Sequence, residues 1–136
     1  VPAPPGTAGG ILNGVAATSA RRTWAVGDIG GQSLILRWNG TAWKRVPGPP
    51  DGILNGVAAT SARRAWAVGD IGGDTLILRW NGTVWKRVRS PRNPTPDHAQ
   101  NLFGVAAPTA RRAWAVGYTA GGGEALIVHW NGTAWK

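Results

Sequence analysis

Apolar residues in this chain gather in short runs of four to six, punctuated by Gly, Asn, Ser and Pro. Near the start the runs are GVAA (14–17), TWAVG (23–27), SLILRW (33–38) and AWKRV (42–46). They are rich in Val, Ile, Leu and Trp and too short for helices, so the pattern predicts strands. The polar spacers predict turns. Asn39-Gly40, between Trp38 and Trp43, is a strong hairpin signal, because both residues of such a turn must tolerate positive φ. SLILRW does not alternate. Apart from Arg37 it is apolar on both faces, which predicts a sheet covered on both sides.

The same four runs recur. RWNGTAWKRV at 37–46 returns as RWNGTVWKRV at 79–88 and as HWNGTAWK at 129–136. Trp24 to Trp66 is 42 residues, as is Trp38 to Trp80, whereas Trp66 to Trp114 is 48 and Trp80 to Trp130 is 50. The third copy thus carries six extra residues in RSPRNPTPDHAQ and two in YTAGGGEA, and such points of insertion mark loops. Four short antiparallel strands repeated at this period, buried on both faces, describe a β-propeller blade. A parallel β-helix has shorter coils and needs no hairpin in each. The expectation is an all-β propeller of four-stranded antiparallel blades, three per chain: blade 1 at 11–46, blade 2 at 53–88, blade 3 at 101–136. A Pro/Gly-rich segment (1–10) precedes them, and a Pro-rich loop (89–100) is inserted before the third.

The hairpin WNGTAW resembles the Trp-Asp-Gly-X-X-Trp hairpin of small fucose-binding propeller lectins. It is also similar to the hairpin of Asp-box propellers, and WAVGD resembles repeats of photosystem-assembly-factor-like bacterial propellers. The lectin resemblance implies a sugar site built from a strand Arg, a Glu on the next strand and a Trp of a neighbouring blade. Trp38, Trp80 and Trp130 with Arg37, Arg79 and His129 are the matching carbohydrate-binding candidates. The third strands carry Ile35, Ile77 and Ile127 at mid-strand and no Glu, so the resemblance does not extend to fucose specificity.

Propellers close with four to eight blades. Three blades imply that unpaired apolar faces are covered by other copies, head to tail, giving six blades as a homodimer or nine as a homotrimer. Lys136 stops where Lys44 runs on into Arg45, Val46 and Pro47, while the chain begins Val1-Pro2, so segment 1–10 is expected to finish a strand on a neighbouring copy. Near-identity of the first two copies fits recent duplication or design. No Met is present, so Val1 reads as the product of processing or as part of a longer chain. No Cys is present either, which excludes disulfides, thiolate metal sites and Cys nucleophiles. No apolar run is long enough to predict membrane insertion, and no signal-peptide pattern opens the chain. Localisation stays open, with a secreted bacterial protein as one candidate.

Charge adds a second theme. Fifteen Lys and Arg stand against six Asp and Glu, a formal net charge of +9. In an up-and-down blade the first turn carries Arg21-Arg22, Arg63-Arg64 and Arg111-Arg112. The acids Asp28, Asp70, Asp74, Glu124, Asp51 and Asp97 fall on the opposite face. These six Arg are the polyanion-binding candidates, although plain solvated turn residues would look the same. Trp residues recurring at fixed strand positions likewise fit packing between blades. Asn39-Gly40-Thr41 and its two repeats match a glycosylation pattern that a tight turn already explains. His98 stands alone in the inserted loop, and the Asp-Ile-Gly-Gly loops offer too few carboxylates for a calcium cage. No metal site, cofactor site or catalytic constellation can be read. The functional expectation is a non-catalytic self-assembling scaffold or binding module. A lectin-like glycan binder and a polyanion binder are the alternatives.

Overall fold

The computed structural model describes residues Val1 to Lys136. It contains no helix. β1 (Ile11–Ser19), β2 (Arg22–Ile29), β3 (Gln32–Trp38) and β4 (Trp43–Arg45) form one antiparallel sheet in chain order. β5 (Ile53–Ser61), β6 (Arg64–Ile71), β7 (Asp74–Trp80) and β8 (Trp85–Val88) form the second. β9 (Gln100–Thr109), β10 (Arg112–Thr119) and β11 (Glu124–Trp130) form the third. Every apolar run quoted from the first repeat contributes to a strand. The third sheet departs from four strands. Its last element is a single bridge, Trp130 to Trp135, flanked by backbone bonds between His129 and Lys136 of 2.8 and 2.9 Å.

The Trp-Asn-Gly-Thr-X-Trp turns differ from the expected type. No residue other than Gly has positive φ; Gly40, Gly82 and Gly132 lie at 98°, 101° and 100°. Asn39 instead accepts two backbone hydrogen bonds on Oδ1, from the N–H groups of Thr41 and Ala42, both 2.9 Å. Asn81 and Asn131 do the same. The Asn side chain itself closes the turn, so it has no need of the left-handed conformation. Four residues are spanned, and Trp38 and Trp43 end up directly opposite each other across β3 and β4.

Side chains alternate across a strand, so runs apolar at every position serve two cores. Trp24, Val26 and Ile35 of the first sheet pack on Leu54, Ala67, Leu76, Leu78, Trp80 and Trp85 of the second. The other face of the second sheet sends Trp66, Val68 and Ile77 against Leu102, Ala113, Ala115, Val128, Trp130 and Trp135 of the third. The second sheet is therefore covered on both sides. On the outer side of the first, Ala25, Leu34 and Leu36 are buried, with Gly10 lying on Leu34.

The leading strands β1, β5 and β9 run past one another without a backbone ladder. A Cβ on Gly14 would come within 3.1 Å of Asn55 O and Gly56 Cα, and one on Gly56 within 2.7 Å of Phe103 O. At Gly56 the backbone would have to shift to admit a side chain, and at Gly14 the neighbouring strand would have to give by a few tenths of an ångström. Each leading strand carries a bulge here, between Leu12 and Gly14, between Leu54 and Gly56 and between Leu102 and Gly104. Bulges re-aim side chains. Asn13 and Asn55 reach across and donate from Nδ2 to Leu54 O and Leu102 O, at 3.0 and 2.9 Å.

Candidate functional site

Both sheet junctions are built around an inserted tryptophan. The β2 residue Trp24 lies 5.0 Å from the ring of Trp80 and 5.0 Å from that of Trp85, edge-on to both. Trp66 of β6 repeats this with Trp130 and Trp135, at 5.1 and 5.1 Å. Each receiving pair comes from one hairpin, and the Asn-Gly turn sets its splay. Centroids are 5.8 Å apart at 46° for Trp80–Trp85, and 6.0 Å at 47° for Trp130–Trp135.

The first hairpin holds the same pair in the same geometry. Trp38 and Trp43 are 5.7 Å apart at 51°, half-buried, with no third tryptophan between them. Beside them is a cavity of about 370 Å³ bordered by Leu12, Val15, Ala25 and Trp43. At the far end of the molecule the complementary part is free. Trp114 stands where Trp24 and Trp66 stand, yet it is 48 % exposed against 4 % for each of them. Ile127, equivalent to the buried Ile35 and Ile77, is 62 % exposed. No model of a known protein family matches the chain, and no curated protein does. The internal repeats are therefore the available standard of comparison.

The free face of the third sheet also departs from them. Phe103 occupies the bulge position of Asn13 and Asn55, and Tyr118 that of Asp28 and Asp70. Phe103 and Tyr118 stack, 5.5 Å apart at 4°, on an exposed surface. In the second repeat the equivalent pair is polar: Asn55 Nδ2 donates to Asp70 Oδ1 at 3.4 Å. Burial holds the Asp70 carboxyl above the usual carboxylate range, Asn55 opposes that, and the Asp28 charge adds to it.

The six turn arginines are exposed, each pair at the β1–β2, β5–β6 or β9–β10 connection. Ser19, Ser61 and Thr109 hold the backbone there, each hydroxyl accepting the N–H of the first Arg at 3.2 to 3.3 Å. Asp28 and Asp70 pair with Ile11 and Ile53, at the opposite end of the same hairpins from Arg22 and Arg64. Six residues of strand, about 20 Å, separate the two charges. The structure joins residues that the sequence placed in separate candidate sites. Arg21, Arg22, Arg37, Trp38 and Asn39 line one hollow of about 440 Å³, and Arg63, Arg64, Arg79, Trp80 and Asn81 another of about 340 Å³.

Arg37 is fixed at the junction, its guanidinium 4.9 Å from the Trp24 ring centre and 5.5 Å from that of Trp80. Arg79 sits likewise, at 5.0 Å from Trp66 and 5.4 Å from Trp130. His129 takes this place in the third repeat, 4.2 Å from Trp114. Trp80 and Trp130 are buried among other tryptophans, with Arg37 and Arg79 over their rings; of the three tryptophans among the carbohydrate candidates only Trp38 is half-open. Elsewhere the two insertions of the third repeat meet where His98 lies against Gly121, and within the first of them Asn93 Nδ2 donates to His98 O at 2.8 Å. Sequence reading missed Trp43, Trp114, Leu12, Val15, Phe103 and Tyr118. The three-fold repeat of the Trp pattern was the signal that could have found the first two.

Proposed function

We propose that this protein is a non-catalytic, self-assembling β-propeller scaffold that joins copies head to tail. The observation that carries the reading is the Trp38–Trp43 pair, held in the geometry of two pairs that each receive a tryptophan, on a molecule that offers Trp114 at its other end. A second copy seats Trp114 between Trp38 and Trp43, as Trp24 seats between Trp80 and Trp85. The Phe103–Tyr118 stack then lies at the junction, and aromatic side chains are enriched in the cores of protein interfaces. Such a contact is heterologous and forms a ring when its rotation closes. Two copies supply six sheets, within the range of closed propellers.

The non-catalytic part rests on the residue inventory: no Cys, and two His placed on different elements without a paired nucleophile. Glycan binding through Trp38, Trp80 and Trp130 has less support, because two of the three rings have no open face. Light scattering at micromolar concentration tests the scaffold reading. The expected mass is twice that of the 14.2 kDa chain. A stable, non-aggregating monomer would sink the proposal.

A further inference from the structure

We propose that the arginine-lined hollow of each of the first two repeats binds a tetrahedral oxyanion, of the kind a sulfate or phosphate ester carries. The inference does not depend on assembly, since each hollow is formed by residues of one repeat. Three guanidinium groups line it and no carboxylate does: Arg21, Arg22 and Arg37 in one case, Arg63, Arg64 and Arg79 in the other. Like charges lining one hollow repel one another, and an anion placed among them relieves that.

The groups are also positioned. The guanidinium groups of Arg37 and Arg79 each lie over two neighbouring indole rings, cation–π contacts that hold them in place before any ligand arrives. The stem of Arg21 lies on the Asn-Gly turn, where a Cβ on Gly40 would stand 3.1 Å from its Cγ; Arg63 lies on Gly82 in the same way. Asn39 and Asn81 contribute a fixed donor. Their Oδ1 atoms are committed to the turn, so the amide NH₂ is the group left to face a ligand. A guanidinium fork matches the oxygens of phosphate and sulfate, as it does those of a carboxylate. The hollows have room for the group that carries the ester. In the second hollow Trp80 offers no open face for stacking a base or sugar ring, so the recognition common to both hollows centres on the anion.

The test is titration of the ¹⁵N-labelled protein with inorganic sulfate and, separately, inorganic phosphate, with sodium chloride adjusted to hold ionic strength constant. Expected are saturable shifts of the Arg37 and Arg79 Nε–H signals that chloride alone does not produce. The double variant Arg37→Gln/Arg79→Gln should weaken binding at least about tenfold. Arg45→Gln/Arg87→Gln removes the same charge from β4 and β8, outside both hollows, and should leave binding unchanged. If the first double variant fails to fold, Arg21→Gln/Arg63→Gln replaces it, with the same expected loss. Equal weakening by the Arg45/Arg87 control, or a response that chloride reproduces, would overturn the proposal and leave only diffuse attraction to a basic surface.

Discussion

Asp70 is the residue whose environment was least visible in the sequence. Its place among the acids of the loop face was legible, since polarity and turn order put it there. Its contact with Asn55 was not, because that contact needs the bulge between Leu54 and Gly56, and a bulge leaves no mark in an apolar run. Burial and the Asp28 charge raise its pKa from 3.8. A carboxyl whose pKa is raised by folding stabilises the native state below its unfolded pKa, and that contribution is lost as pH rises through the folded value. At pH 7 ionised Asp70 is therefore a net cost. Asp70→Asn keeps the shape, removes the charge and should unfold at higher urea concentration than the parent at pH 7. The difference should close as pH falls below 3.8. A variant weaker than the parent at pH 7 would mean that the carboxylate is held by a favourable partner instead.

At the scale of elements, the strands were legible because short apolar runs between turn residues have few other solutions. The turn type was not. Asn-Gly can close a tight two-residue turn by positive φ at both positions, or a longer one through the Asn side chain, and the sequence is the same for both. The choice matters, because the longer turn places the two tryptophans opposite each other and so makes the receiving pair. Trp66 is the element that fills such a pair. Replacing it by Ala removes the ring between Trp130 and Trp135 and leaves a void in the core between the second and third sheets. Large-to-small changes of this kind cost about 3–5 kcal/mol. Urea unfolding of Trp66→Ala should show a loss of that size. A cost under about 1 kcal/mol, close to the roughly 0.5 kcal/mol of surface changes, would contradict the packing described for that junction.

For the molecule as a whole, the repeat period announced three equivalent units, but not which face of each unit looks at the next. That direction emerges only when Trp24 is found inside the hairpin of the following repeat, 56 residues before Trp80 in the chain. Once it is known, the two ends become distinguishable: one carries the unfilled Trp38–Trp43 pair, the other the exposed Trp114. Trp114 then separates assembly from folding. Trp24 and Trp66 are buried within the single chain and serve its folding, whereas Trp114 is half-exposed there and under the scaffold proposal is buried only by a partner. Trp114→Ala should leave the unfolding of the isolated chain within about 0.5 kcal/mol, as surface changes do. It should also convert the proposed dimer to a monomer, because a tryptophan centred in an interface is a typical hot spot, worth at least about 2 kcal/mol, and the proposed two-copy ring contains that contact twice. Sedimentation and circular dichroism on the same sample read the two effects separately. A Trp114→Ala protein that remained dimeric would place the contact on another surface and leave the Trp38–Trp43 pair without its proposed occupant. A protein that lost its β-sheet signal would place Trp114 in the core of the single chain, against its exposure.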